Sequence, residues 1–279
     1  MDLTSVRVIK NLLKKYQTAP LKRLGQNFLI DKSVLKKIIE SANLKADDVV
    51  LEIGPGIGTL TQELAKRVKK VIAIERDQKM CQILKKMLDY WNVGNVEIVQ
   101  GDVLQIKNLK LKIKNYKLVA NLPYYIISPV IRKFLENKFS PKEMILMVQK
   151  EVAQRICAKP PEMSLLAISV QLYAKSEILF YVPKNSFWPQ PKVDGAILKI
   201  TPLTDTNRKL INTKLFFKIV KAGFSQPRKQ LCNSLANGLK LTKEQVKEWL
   251  LKNGVEPSQR AETLSVEDWI KLTKDFRKT

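Results

Sequence analysis

From Val49 to about Ile200 the chain alternates short β-rich runs with amphipathic, lysine-studded stretches, and this rhythm limits the folds open to it more than any other feature. The runs VVLEI, VIAIE and VEIVQ are separated by TLTQELAKRV and QKMCQILKKMLDYW, whose apolar residues recur at helical spacing, and LVANL follows. Strand, amphipathic helix and strand in repetition is the pattern of βαβ units, which build a parallel sheet covered by helices. MILMV, EILFYV and AILKI supply three later strands, the last two near enough to pair antiparallel around FWPQPKVDG. The expectation is an α/β fold with a mostly parallel sheet of about seven strands. After Pro202 the β-branched runs stop, and helical periodicity takes over in LFFKIVKAGF, KQLCNSLANGL, KEQVKEWLLKNG and VEDWIKLTKDF. The chain is thus expected to divide into a larger domain over 1–204, with a basic segment at 1–32, and a small helical domain over 205–279.

Charge narrows the partners. Fifty lysines and arginines against 26 aspartates and glutamates give a net charge of +24 on 279 residues, while 45% hydrophobic content is enough to bury a core. A positive excess on a folded chain points to a polyanion, RNA or DNA ahead of an acidic membrane surface. The chain has no histidine, which removes imidazole acid–base chemistry, Ser-His nucleophiles and His-ligated metals together. Cys81, Cys157 and Cys232 lie far apart without CxxC spacing, so neither a disulfide framework nor a zinc knuckle is expected. No apolar run approaches the ~20 residues needed to cross a bilayer. MDLTSVRVIKNLLKKY lacks the apolar core of a signal peptide, and a cytoplasmic location is expected.

Leu51-Glu52-Ile53-Gly54-Pro55-Gly56-Ile57-Gly58 sits at a strand-to-helix junction, where Gly54 and Gly56 allow a tight turn and close approach to a ligand. A G-x-G-x-G loop alone is weak, and its spacing is not that of dinucleotide enzymes. Glu75 ends the second strand about 20 residues beyond the first glycine, where a carboxylate accepts both hydroxyls of a ribose in doubly wound folds. Gly101-Asp102 closes the third strand, and a carboxylate there can accept the exocyclic amine of an adenine. Together the three features point to an adenosyl ligand.

Asn121-Leu122-Pro123-Tyr124-Tyr125 follows the fourth strand at the same sheet edge. In this motif the Asn121 amide and a nearby backbone carbonyl can face one planar amine, Pro123 stiffens the loop, and Tyr124 offers a π-face for a base. The exocyclic amine of adenine is a poor nucleophile because its lone pair is delocalised into the ring. Two acceptors on its hydrogens localise that pair toward an electrophile, without a strong base.

These motifs, with Leu24-Gly25-Gln26-Asn27-Phe28-Leu29, QKEVAQR, FWPQPKVDGA, AGFSQPRKQLCNSL and RAETLS, resemble the ribosomal RNA adenine N6,N6-dimethyltransferase family from about Leu21 to Trp269. The resemblance implies a Rossmann-like class I methyltransferase fold and S-adenosylmethionine as cofactor. It implies that Asn27 and Leu29 touch the cofactor, Gly54 lies under its methionine part, Glu75 holds the ribose, Asp102 reads the adenine, and Asn121 borders cofactor and target amine. Tyr124 would stack on the target base, with Phe187 as a second aromatic wall. Within the family the small-subunit branch is favoured by NLPYY, PKVD and RAETLS, which implies dimethylation of two adjacent adenosines in the 3′-terminal hairpin loop of 16S rRNA. Small-subunit rRNA or a pre-30S particle is the implied partner, with no metal and no membrane expected, and a monomer is taken as the default state.

Candidate RNA contacts are Lys22 and Arg23 ahead of the QNFL segment, Lys150 and Arg155 after the fifth strand, and Arg228 and Lys229 in the helical part. Three positions differ from the family pattern: Pro227 stands where relatives often carry a second arginine, residues 159–165 are shortened and lack a Tyr-Gly, and Tyr125 replaces an asparagine of some members. The alternatives are a macrolide-resistance methylase of large-subunit RNA, a non-catalytic ribosome-assembly factor and a DNA adenine methylase.

Overall fold

The computed structural model describes residues 1–106, 115–123, 126–136, 140–203 and 211–276. Contacts divide the chain into two units, Met1–Ala153 with Ser176–Pro202, and Gln154–Lys175 with Leu203–Thr279. The chain opens with α1 (Val6–Lys15), a 3-10 turn at Lys22–Leu24, β1 (Phe28–Leu29) and α2 (Lys32–Ser41). Alternation then sets in: β2 (Val49–Ile53), α3 (Thr59–Ala65), β3 (Lys70–Glu75), α4 (Gln78–Trp91), β4 (Val96–Gln100), β5 (Tyr116–Asn121), α5 (Ile127–Leu135) and β6 (Met144–Gln149). After α6 (Lys150–Ile156) and α7 (Leu165–Gln171) come β7 (Ala174–Val182), β8 (Phe187–Trp188) and β9 (Gly195–Pro202). The remaining helices are α8 (Thr213–Gly223), α9 (Leu231–Leu239), α10 (Lys243–Lys252) and α11 (Val266–Asp275).

The sheet has seven strands in the order β4-β3-β2-β5-β6-β9-β7. The first five run parallel, and β9 pairs antiparallel with β6. Strands covered on both faces read as nearly continuous apolar runs, and β2, β5 and β6 bury almost every residue. Each fully buried Val, Leu or Ile contributes roughly 1.5–3 kcal/mol. On one face, Ile38 and Ile39 of α2 and Leu64 of α3 pack with Val50, Val119 and Ile145. In a second cluster, Met80 and Ile83 of α4 pack with Ile9, Leu12 and Leu13 of α1. The apolar stripe of Val6–Lys15 is thereby a built part of the first unit. Asp31 caps α2 through the amides of Ser33 and Val34, and Asp77 caps α4 through that of Lys79. Such caps are worth about 1 kcal/mol each.

In the second unit, α8 and α9 meet where Gly238 faces Ala222; a Cβ at Gly238 would stand 2.5 Å from the Ala222 Cβ. Trp269 of α11 is fully buried, with Phe224 against it at 5.9 Å between ring centroids. Capping boxes start α10 (Thr242, Gln245) and α11 (Ser265, Asp268). Among the described residues no helix is long and apolar enough to span a membrane.

At the amino ends of the strands, Lys117 is buried in a ring of acceptors. Its Nζ lies 2.9 Å from the Ala42 carbonyl, 2.6 Å from that of Asn43, 3.2 Å from Asp48 and 3.1 Å from Glu143. The ammonium joins the carboxyl end of α2, where the helix dipole favours a cation, to β5 and the loop before β6. Removing one partner of a buried ion cluster strands the others without water. Lys117→Met is therefore expected to cost about 3–5 kcal/mol in urea denaturation; a loss below about 1 kcal/mol would show that the cluster holds nothing in place.

Candidate functional site

At the carboxyl ends of β2, β3, β4 and β5 the chain leaves a cleft of about 1070 Å³ including its open mouth. The strand order reverses between β2 and β5, and open α/β sheets bind ligands at such a point. Gly54 and Gly56 turn the chain with φ of +69° and +57°, a conformation that costs side-chain-bearing residues. A Cβ at Gly56 would come 3.4 Å from the Phe28 ring, and one at Gly54 would come 3.8 Å from the Asn121 carbonyl. The loop is thus a bare backbone cradle between the N-terminal segment and the end of β5.

Glu75 is buried, with its Oε2 accepting from the Gly56 amide at 3.1 Å and its Oε1 from the Asp77 amide at 2.8 Å. Burial pushes its pKa up, and the backbone donors oppose the shift. Each carboxylate oxygen keeps a second lone pair for an incoming hydroxyl. Asp102 accepts from the Leu104 amide at 2.9 Å and lies 3.5 Å from the Arg76 guanidinium. Asn121 donates its side-chain amide to the Asn27 carbonyl at 3.3 Å, which leaves its Oδ1 as the acceptor end of the group.

Of the residues nominated from the sequence, Asn27, Leu29, Gly54, Gly56, Glu75, Asp102, Asn121 and Pro123 all line this one cleft. Tyr124, and with it Tyr125, lies outside the described residues. Phe187 is not brought to the cleft. It pairs with Leu29 across β1 and β8 and is buried in the core at 4% exposure, in the cluster that also holds Leu29, Val182 and Ile197. Lys22 and Arg23 are exposed on the turn that leads into Leu24 at the cleft rim. Lys150 is half-buried, its ammonium 5.2 Å from the centre of the Tyr181 ring. Arg155, Arg228 and Lys229 are exposed in the second unit. Pro227 occupies the second position of a turn closed by the Lys229 amide on the Gln226 carbonyl at 2.9 Å, a place that suits its fixed φ.

Several groups of the cleft escaped the sequence reading. Gln26 accepts from the Leu21 amide and donates to Asp77, both at 2.8 Å, which ties the N-terminal segment to the loop after β3. Lys133 of α5 donates to the carbonyls of Leu104 and Ile106 at 3.0 and 2.9 Å and so holds the loop that carries Asp102. Glu52 is 1% exposed, lines the cleft, and its Oε2 has no partner among the described residues. Burial, with the Glu75 charge in the same direction, raises its pKa to about 8. An acid inside a strand run carries one sequence signal, a charge where the pattern asks for an apolar residue.

The profile of ribosomal RNA adenine dimethylases matches residues 20–278. The chain belongs to the ribosomal RNA adenine dimethylase family. One curated relative, the ribosomal RNA small subunit methyltransferase A of Dehalococcoides mccartyi, is 43% identical, over 96% of this chain and 92% of its own length. Among solved structures, a dimethyladenosine transferase from Plasmodium falciparum superposes with a TM-score of 0.72 at 32% identity, covering 87% of this chain and 94% of that one. The 23S rRNA methyltransferase ErmE superposes with a TM-score of 0.69 at 26% identity, over 89% and 98% of the two chains. The class I methyltransferase fold expected from the sequence, with its helical C-terminal region, is the fold of this family member.

Glu52 gives the dimethylase a pH signature. The folded chain keeps it protonated up to about pH 8, whereas in the unfolded chain it titrates near its ordinary 4.5. Between those values the native state holds the extra proton, so this contribution is complete below the unfolded pKa and is lost as pH rises through the folded one. The slope reaches up to about 1.4 kcal/mol per pH unit. Glu52→Gln is expected to flatten the fall in stability between about pH 5 and pH 8, measured by urea denaturation; parallel wild-type and variant curves would refute the assignment.

Proposed function

We propose that this family member uses S-adenosylmethionine to dimethylate N6 of two adjacent adenosines in the 3′-terminal hairpin loop of small-subunit rRNA, acting as a cytoplasmic monomer. The observation that carries the reading is the meeting of Asn121 with Gly54, Glu75 and Asp102 around one cleft. The residues present suit the cofactor. The Gly54–Gly56 cradle leaves room that side chains would fill, and Glu52 has an unpartnered buried oxygen suited to a hydrogen-bond donor. Glu75 would accept the ribose hydroxyls and Asp102 the adenine amine, while Asn27 and Leu29 close the cleft from the N-terminal side.

When bound, S-adenosylmethionine supplies a methyl group on a cationic sulfur that departs as a neutral thioether. What the chain must add is position. Asn121 Oδ1 and a nearby backbone carbonyl accept the hydrogens of the target N6, which localises its lone pair for in-line attack. Pro123 fixes the turn, and Tyr124 supplies the stacking face for the base. Apolar cleft walls such as Leu29, Ile53 and Ile74 keep water from the reacting atoms. The proton of N6 becomes acidic once the nitrogen carries the methyl and passes to water, so no imidazole and no metal is called for. A hairpin-loop adenosine costs little to flip, and exposed cations, Lys22 and Arg23 on the first unit and Arg155, Arg228 and Lys229 on the second, are suited to its phosphates.

The test is methyl transfer from labelled S-adenosylmethionine to unmethylated small subunits, large subunits and naked RNAs, with mass mapping of the product. Dimethyladenosine at the small-subunit 3′ hairpin is expected, and Asn121→Ala should lower kcat/KM about a hundredfold or more by removing a preorganised polar group. Label confined to large-subunit RNA, or tight small-subunit binding without label, would overturn the reading in favour of the resistance branch or an assembly factor.

A further inference from the structure

Residues 3–30 contain six lysines and arginines and not one acid, although the chain carries 26 acids in its 279 residues. A run of like charges repels itself and is held together here only by what lies beneath it. On α1, Arg7, Lys10 and Lys14 fall at i, i+3 and i+7, on the face opposite the buried Ile9, Leu12 and Leu13. All three, and Lys15, are exposed. The apolar face sits in the cluster of Phe28, Ile57, Met80 and Ile83, and Phe28 itself lines the cleft. Lys10 Nζ stands 5.6 Å from the centre of the Trp188 ring, which stacks on Phe28 at 6.4 Å between centroids. Past the helix the cations continue through Lys22 and Arg23 to Leu24 at the cleft rim.

Some other exposed cations of the same unit have acidic partners. Lys32 pairs with Asp2 at 2.7 Å, Lys66 and Arg67 with Glu63 at 2.6 and 2.8 Å, and Lys70 with Glu97 at 2.6 Å. Among the described residues no carboxylate pairs with Arg7, Lys10, Lys14 or Lys15. From Arg7 to Lys14 the helix rises roughly 10 Å, a length over which a duplex carries about six phosphate charges.

We infer that the outer face of α1 is a docking strip for the phosphates of the RNA strands that flank the target nucleotide. The inference rests on the RNA substrate of the proposed function and adds a surface to it. The helix is fixed by its buried face beside the cleft, so phosphates held on Arg7, Lys10, Lys14 and Lys15 set where the loop base arrives.

The test is a salt titration of binding to the unmethylated small-subunit 3′ hairpin RNA, with the full-length protein. One variant carries Arg7→Gln, Lys14→Gln and Lys15→Gln and leaves Lys10 on its indole. A charge-matched control carries Lys45→Gln, Lys69→Gln and Lys142→Gln, all exposed at the amino ends of β2, β3 and β6, away from the cleft. The α1 variant should bind more weakly, and its plot of log K against log salt should be shallower by about two to three, at roughly 0.7–0.9 for each phosphate no longer neutralised. Its affinity for S-adenosylmethionine, read by calorimetry, should not change. The control should keep the wild-type slope. An unchanged slope in the α1 variant, or an equal drop in the control, overturns the inference while wild-type methyl transfer still supports the function. Flotation with phosphatidylglycerol vesicles that is lost in the α1 variant while RNA binding is not would reassign the strip to a membrane surface. Wild-type protein without salt-dependent binding to the hairpin overturns the inference, and if methyl transfer is also absent the proposed function falls with it.

Discussion

Parallel pairing of β2 with both β3 and β5 is the constraint from which the site follows. Ile53 stands opposite Ile74 on one side and Ala120 on the other, so the residues after them, Gly54, Glu75 and Asn121, arrive side by side although some 67 positions separate the first from the last. The strands run the same way and share a common finishing edge, where their loops can meet. A one-residue slip of β3 would turn Glu75 to the opposite face of the sheet, away from the Gly56 amide it now accepts. Register, set by the buried apolar runs, is therefore what places the polar groups.

The same edge divides the electrostatics of the molecule. Inside the cleft two carboxyls are taken out of water, and their partners differ. Glu75 is held by two backbone amides, whereas Glu52 has an oxygen with no partner among the described residues and stays protonated toward pH 8. Such an interior favours a ligand that brings hydrogen-bond donors. Outside, the chain carries +24 and favours the opposite sign.

Much of this was legible in the sequence because the signals are local. The alternation of runs after Val49 forecast the sheet, and the strand-end positions of Gly54, Glu75, Asp102 and Asn121 forecast their convergence. What stayed hidden depends on distant partners. Gln26 looked like one polar residue in a family motif, and its bond to Asp77 joins positions 51 apart. Lys133 sits in the pattern of a solvated helix charge, whereas its ammonium reaches the carbonyls of a loop nearly 30 residues earlier. Lys117 interrupts an apolar run for the benefit of acceptors at Ala42, Asn43, Asp48 and Glu143 that no periodicity reveals.

Phe187 takes a place in the fold that its motif alone does not reveal. Its motif implies an aromatic wall for the base, yet β8 pairs with β1, so that Phe187 lies opposite Leu29 and Trp188 opposite Phe28. Next to them Ser186 donates to Asp31, and the Ile30 amide donates to the Ser186 carbonyl at 2.9 Å. Asp31 is also the cap of α2. The FWPQP loop is in this way bolted to the segment whose Asn27 and Leu29 line the cleft, and the Asn27 carbonyl in turn receives the Asn121 amide. Phe187 pairs with the strand whose Leu29 lines the cleft, and Trp188, partly exposed under Lys10, is the member of the pair left at the surface. An aromatic pair two residues long therefore does two jobs, one ring as packing beneath the cofactor segment and the other beside the basic face of α1.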